Sequence, residues 1–399
     1  VLFNLYLLAI GFDIAFIGLR ILIAQGASAV ASIPAGVVSD RIGRKASFIL
    51  GDGVGAGVAL VNITTVNPLI LLVTPIFGSM FGTLHHVTES AFMAENSKRD
   101  ERIHLFSVSG GTRTLAAVAG AVIAASAAAI IGVLPFVTDI VGAYRLLVGI
   151  GIVGWFLSLV PALMLQELRT ESKAPKPESG GGSTLGLFGI VRRQVNHPDR
   201  IRKLVVANST TALGATAVIP LLNVFFKRGP LQAGELEIGL IYGVGFAFLA
   251  LGNFLAPLLT RRMSKVDATF TTRMASVPFI LLIPLASQVA GDIVLALTLA
   301  GFAYVLRYTL MNISNPIFEA FSMEILDRSE RATAVGAEIA LSSLLGMIGI
   351  YVGSYLMNSG DFFTPFVLMF GMYLVSNLLL LVFFRGMEVQ IRATVQPKL

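Results

Sequence analysis

Eleven apolar runs of about twenty residues each divide this chain of 399 residues, near 14–38, 46–66, 68–93, 103–131, 144–166, 201–226, 236–259, 268–289, 292–320, 331–357 and 362–384. A twelfth, partial run covers residues 1–10. A hydrocarbon core about 30 Å thick is crossed by about 20 helical residues. Lipid offers the backbone no hydrogen-bond partners, so runs of this length must fold as helices. Many of them contain Gly, Ala, Ser and Pro, which membrane helices use for close packing. The expected fold is therefore an all-α integral membrane protein of 12 transmembrane helices, the first incomplete in this sequence.

Composition agrees. Hydrophobic residues make up 55% and charged residues 13%, against about 25% charged in soluble domains. The net charge of +6 would suit nucleic acid, but the placement of the basic residues points to a membrane. Loops 39–45, 94–102, 167–203, 260–273, 322–331 and the tail from Arg385 hold 23 of the 29 Lys and Arg, and the opposite loops hold only Arg145, Lys227 and Arg228. Such a bias marks the cytoplasmic side, so both termini are expected there. The chain has no Cys, which excludes disulfides and thiolate sites.

Segment 167–200 is the long interruption, running through Pro and charged residues into Gly180, Gly181 and Gly182. It reads as a linker ending in a short surface helix with Arg192, Arg193, Arg200 and Arg202 beside apolar residues. No Lys-Ser/Thr pair follows the glycines, so they are not a phosphate loop. The halves on either side repeat one another. Residues 95–102 align with 324–331, residues 36–44 with 257–265, and residues 2–7 with 221–226, which sets Asn4 opposite Asn223. About twenty residues precede Asn223 in its span and three precede Asn4, so most of the first helix is expected to lie before Val1. The implied domains are a six-helix bundle at 1–166, the linker at 167–200, a second bundle at 201–384 and a tail at 385–399, with a cavity between the bundles.

Polar groups inside spans are costly and mark function. Span four carries His85, His86 and Glu89 with Gly78 and Gly82, at steps of three and four along one face. Desolvation disfavours a carboxylate's charge and histidine titrates near neutrality, so this stripe suits binding and release of a proton; a structural hydrogen-bond pair is the bland alternative. A metal needs more ligands than His86 and Glu89 supply. Span ten carries Tyr304, Arg307, Tyr308, Asn312, Asn315 and Glu319, with a kink expected at Pro316. Arg307 suits either an anionic ligand or an ion pair with Glu89 or Glu319. Asn208 and Asn223 in span seven offer neutral hydrogen bonds. Arg113 and Glu338 lie near the cytoplasmic ends of their spans, where a gate salt bridge competes with snorkelling, the favoured reading for Arg113.

The stretch "GVVSDRIGRK" (36–45) resembles the G-x-x-x-D-R-x-G-R-K motif of the major facilitator superfamily, between its spans two and three. Residues 257–265 are similar to its second copy. "AENSKRDER" and "MEILDRSER" resemble loops of its bacterial drug-efflux-like branches, whereas the G-x-x-x-G-P-x-x-G-G run that drug antiporters carry in span five is missing from 110–120, which has no Pro. The resemblance implies two six-helix bundles with spans one, four, seven and ten lining a central cavity. It also implies a secondary active transporter in the bacterial plasma membrane, acting as a monomer on a small-molecule substrate without a cofactor. Proton-coupled export of drug-like or amphipathic compounds is the leading expectation, with uptake or exchange of a small organic anion as the alternative. An intramembrane enzyme would need a nucleophile or metal constellation, which the sequence lacks; a receptor or scaffold would gain nothing from the buried titratable stripes.

Within the motif, Gly36 and Gly43 suit close packing and a tight turn, and Asp40 can accept hydrogen bonds from a helix N-terminus, by resemblance that of span eleven near Arg331–Ala334. Glu95 and Glu338 are candidate partners for Arg41 and Arg44. The turn is expected to latch the bundles while the cavity faces outward. Asp40→Asn should shift the population towards the inward-open form, lengthening spin-label distances across the cytoplasmic mouth; unchanged distances would leave a purely topological turn.

Overall fold

The computed structural model describes residues 2–95, 102–165, 197–326 and 331–395. Helices dominate them. In the first half they are α1 (Leu2–Ala9), α2 (Ile14–Ile42), α3 (Arg44–Thr64), α4 (Pro68–Glu95), α5 (Arg102–Ala125) and α6 (Ile140–Met164). The second half contributes α7 (Pro198–Val218), α8 (Leu222–Arg228), α9 (Glu235–Arg262), α10 (Lys265–Val289), α11 (Ile293–Asn312), α12 (Asn315–Ile325), α13 (Arg331–Asn358) and α14 (Thr364–Val395). Among the described residues eleven segments are long and apolar enough to cross a membrane, with α7 and α8 together forming one and α11 running into α12 to form another. The linker 167–200, with its expected surface helix, lies outside the described residues up to residue 196.

Local chemistry sets where these helices begin and break. Asp13, Asp139 and Asp292 cap α2, α6 and α11, accepting from the amides of Phe16, Gly142 and Leu295 at 2.7–2.9 Å. Gly43 turns the chain between α2 and α3 at φ +91°, a left-handed conformation that glycine adopts without strain. Pro316 lacks an N–H for the carbonyl of Asn312, and the helix breaks at Ile313–Ser314 as expected. Pro220 does the same in span seven, where a 3-10 turn at Ile219–Leu221 separates α7 from α8; this break was not expected from the apolar run. Two boundaries also differ. Span five ends at Ala125 rather than residue 131, and the chain then turns back on itself through Gly132 at φ +76°. The last helix continues to Val395, past the expected boundary at 384.

Within the first bundle α4 packs on α2 and α3, and α3 on α6; in the second, α7 packs on α13 and α14, and α10 on α11 and α14. The bundles meet along two seams, α2 with α13 and α5 with α9. Small residues carry these contacts. A Cβ on Gly349 or Gly353 would stand 2.1 or 2.0 Å from the carbonyl oxygens of Leu213 and Ala217, so α13 lies directly on the backbone of α7. At the seams, a Cβ on Gly239 would meet Ala125 at 2.4 Å, and one on Gly18 would meet Ser354 at 2.0 Å.

The polar contacts between bundles gather at the end opposite the basic loops. Asn4 donates to the carbonyl of Pro220 at 2.9 Å and to Asn223 Oδ1 at 3.3 Å. Positions aligned by the internal repeat thus touch, which places them at the axis relating the halves. Asn358 Oδ1 accepts from the Ile14 and Ala15 amides that open α2. Tyr144 donates to Glu235 Oε1 at 2.9 Å, an oxygen that Lys227 also reaches at 2.6 Å. Buried Tyr6, Leu7, Leu221, Phe225 and Phe226 fill the space behind this closure.

Gly353→Leu is expected to push α13 off α7 and lower stability by about 1–3 kcal/mol. It should read as a fall in melting temperature in detergent, whereas Gly371→Ala, with open space beside it, should leave the melting temperature unchanged.

Candidate functional site

The α4 stripe is brought together with α5. Glu89 takes a two-pronged contact from Arg113, with Nη2 at 2.9 Å from both carboxylate oxygens, and Ser109 Oγ donates at 3.1 Å. His86 Nδ1 lies 3.8 Å from Glu89 Oε2. Arg113, 61% exposed, is therefore paired with a carboxylate of its own bundle. Glu89 sits six residues, about 9 Å, from the basic end of α4. The contact is charge-assisted and is made through a single guanidinium nitrogen.

His85 points the other way, into the first bundle. Its Nδ1 lies 2.9 Å from Asp52 Oδ1 on α3, although the imidazole is not aligned to make a hydrogen bond there. Trp155 Nε1 on α6 donates to the same oxygen at 3.4 Å. The Phe48 ring meets His85 edge-on at 5.2 Å. Sequence reasoning missed Asp52, though a lone carboxylate in an apolar span was a signal in itself.

Arg307 is 3% exposed and pairs with neither Glu89 nor Glu319. Its Nη2 donates to the Tyr373 hydroxyl on α14, and its guanidinium lies 5.3 Å over the Tyr373 ring. Its Nε has no partner among the described residues, and Arg307 borders a narrow cavity lined by Val218, Leu222, Ile280, Ile283 and Phe366. Tyr304, by contrast, belongs to an aromatic ladder between α9 and α11, with Tyr242 at 5.2 Å and Tyr308 stacked at 5.5 Å. Phe246 extends it, 5.8 Å from Tyr308.

Elsewhere in the second bundle Asn208 donates to Glu338 Oε1 at 2.9 Å, joining α7 to α13. Asn312 donates to the Tyr308 carbonyl and receives from Asn315, so both are occupied at the helix break. Glu319 is exposed. In the loop motif Arg41 is exposed, while Arg44 donates to Ser39 Oγ at 2.7 Å, which contacts Thr88 at 2.9 Å. The side chains of Asp40 and Glu95, and the surroundings of Gly36, lie outside the described residues. At the second copy of the motif, Glu388, buried on α14, accepts from the Lys265 and Val266 amides at 2.7 and 2.8 Å. A carboxylate thus caps a helix N-terminus there, from a segment read as tail.

Two helical bundles meeting at paired seams, each with titratable and hydrogen-bonding groups settled inside it, define a membrane transporter built of two halves. The chain belongs to the Major Facilitator Superfamily, whose sequence model matches residues 1–315. Among solved structures it is similar to a mutant of the nucleoside transporter NupG, with a TM-score of 0.70 at 14% identity over 96% of this chain and 95% of that one. It is also similar to a D-xylose-proton symporter, with a TM-score of 0.70 at 13% identity over 95% and 90%. A bacterial homologue of the iron transporter ferroportin in an inward-facing state gives 0.66 at 14% identity over 94% and 92%. No curated protein sequence matches it.

Tyr373→Phe removes the hydroxyl that Arg307 donates to and leaves a buried cation short of a partner. The expected loss is about 1–3 kcal/mol, read as a lower melting temperature. In a double-mutant cycle, Arg307→Met should cancel most of that loss.

Proposed function

We propose that the protein is a proton-coupled secondary transporter that exports amphipathic compounds by alternating access, with its basic loops on the cytoplasmic side of a bacterial plasma membrane. The observation that carries this reading is the Glu89–Arg113 pair beside His86. It is a two-pronged ion pair in the half of the bundle nearer the basic loops, with Glu89 part-exposed. Proton arrival beside this pair changes the charge that Arg113 must balance, and so biases the seam helix α5 that carries it. The contacts at Asn4, Asn358 and Glu235 then act as the outer closure that must open in the other half of the cycle.

The aromatic ladder of Tyr242, Phe246, Tyr304 and Tyr308 supports an amphipathic substrate, because aromatic walls with a few hydroxyls suit such molecules. The D-xylose-proton symporter is a precedent for proton coupling on this fold. The alternative, uptake or exchange of a small organic anion, is favoured by one observation, the unpartnered Nε of Arg307.

The test uses everted vesicles or proteoliposomes, an imposed pH gradient, and ethidium and benzoate as amphipathic and anionic probes. A gradient of one pH unit supports about tenfold accumulation per coupled proton, or about 1.4 kcal/mol. Glu89→Gln is expected to abolish gradient-driven ethidium accumulation, and Arg307→Ala to leave most of it. Unchanged accumulation in Glu89→Gln would sink the site assignment. Benzoate transport lost in Arg307→Ala would establish the anion reading instead.

A further inference from the structure

The titratable groups of the first bundle form two pairs with different charge balance. Arginine is always protonated, so Glu89 with Arg113 is neutral when its carboxylate is ionised, and a proton added there would leave an excess positive charge. Asp52 with a neutral His85 carries one negative charge, and a proton added there brings the pair to neutrality. Inside a membrane protein the neutral state is the favoured one. We propose that Asp52 and His85 are the proton-binding site of this transporter, with Trp155 positioning the carboxylate and His86 linking the site to Glu89–Arg113.

The geometry is built for this. Gly51 lets α3 and α4 approach closely, since a Cβ there would stand 2.9 Å from His85 Cβ. Gly55 makes room for the Trp155 ring, which a Cβ would meet at 2.4 Å. These two glycines flank Asp52 and bring it within 2.9 Å of His85 Nδ1 and 3.4 Å of Trp155 Nε1. Proton uptake forms one N–H bond on the imidazole, or one O–H bond on the carboxyl, and breaks one in hydronium or in a protonated His86. The His85 and His86 rings lie 5.8 Å apart edge to face, and His86, 69% exposed, lies 3.8 Å from Glu89. His86 thus stands between the Glu89–Arg113 pair and the partly buried Asp52–His85 pair.

The surrounding elements add few other charges among the described residues. From α4 come His86 and Glu89, and from α5 Arg113 with Ser109. The face of α2 towards α4 brings Ser28 and Ser39, in contact with Thr83 and Thr88. On α6 the near group is Trp155, while Arg145 is turned to Tyr6 at the far end. On α3 itself Lys45 lies two turns away, towards the basic end.

This inference rests on the proton-coupled reading, yet it has a readout that needs no substrate. Trp155 is the only tryptophan in the chain, and its indole N–H touches the proposed site. The purified protein would be scanned from about pH 5 to pH 8, where histidine chemistry operates, recording tryptophan emission and proton uptake after a pH jump. The wild type should show one sigmoidal emission change and matching uptake. Asp52→Asn and His85→Gln should each lose the emission change, and Glu89→Gln should keep it. A pH-independent emission in the wild type, or a transition unaltered in a folded His85→Gln variant, would overturn the assignment. A transition that behaves as expected while the pH gradient drives no ethidium or benzoate would uphold the proton site and refute the coupling.

Discussion

The hydrocarbon core leaves a backbone amide no partner except its own helix, and everything else in this fold follows from that constraint. Once every span is a helix, water no longer drives helices together, and attraction comes from close contact and from the few polar side chains present. The chain meets this with small residues at the crossings. Gly349 and Gly353 seat α13 on the backbone of α7, and across the two seams Gly239 makes room for Ala125 and Gly18 for the Ser354 side chain. The first contacts lie within a bundle and the second between bundles, so one device builds both the rigid halves and the surfaces along which they meet.

Charge is distributed differently from packing. Among the described residues, five pairs of ionic or polar groups within the spans lie inside one bundle: Glu89 with Arg113, Asp52 with His85, Glu338 with Asn208, Arg307 with Tyr373, and Arg273 with Ser314. Among the described residues, the contacts between bundles include glycine crossings and, at one end, amides and hydroxyls at Asn4, Asn223, Asn358 and Tyr144. Two halves can separate at such an end without stranding an unpaired charge in lipid, apart from Glu235, which keeps Lys227 on its own side.

The spans, the break at Pro316 and the turn at Gly43 were legible in the sequence because each depends on length or on one residue's backbone chemistry. The repeat aligned Asn4 with Asn223, but that their side chains meet was visible only in the structure. Partner choice was not legible. Arg307 turning to Tyr373, and Glu89 taking Arg113 rather than a residue across the cavity, depend on how far each helix is rotated about its axis, which hydrophobicity alone leaves open when a span is apolar all round. The early end of α5 was hidden in a run of Ala and Ser with no periodicity to stop, and the break at Pro220 lay inside a run that membrane helices often tolerate.

Among the described residues, five of the six helices that start at the end poor in basic loops share one feature, an acidic or amide side chain that caps their first turn, whereas α9 starts at Gly234. Asp13, Asn67, Asp139, Asp292 and Asp361 each accept from opening amides of α2, α4, α6, α11 and α14. These caps complement the positive end of the helix dipole, while Lys and Arg crowd the other face of the membrane. Each of these hairpins therefore carries a two-letter address, a capping carboxylate or amide at one turn and cations at the next.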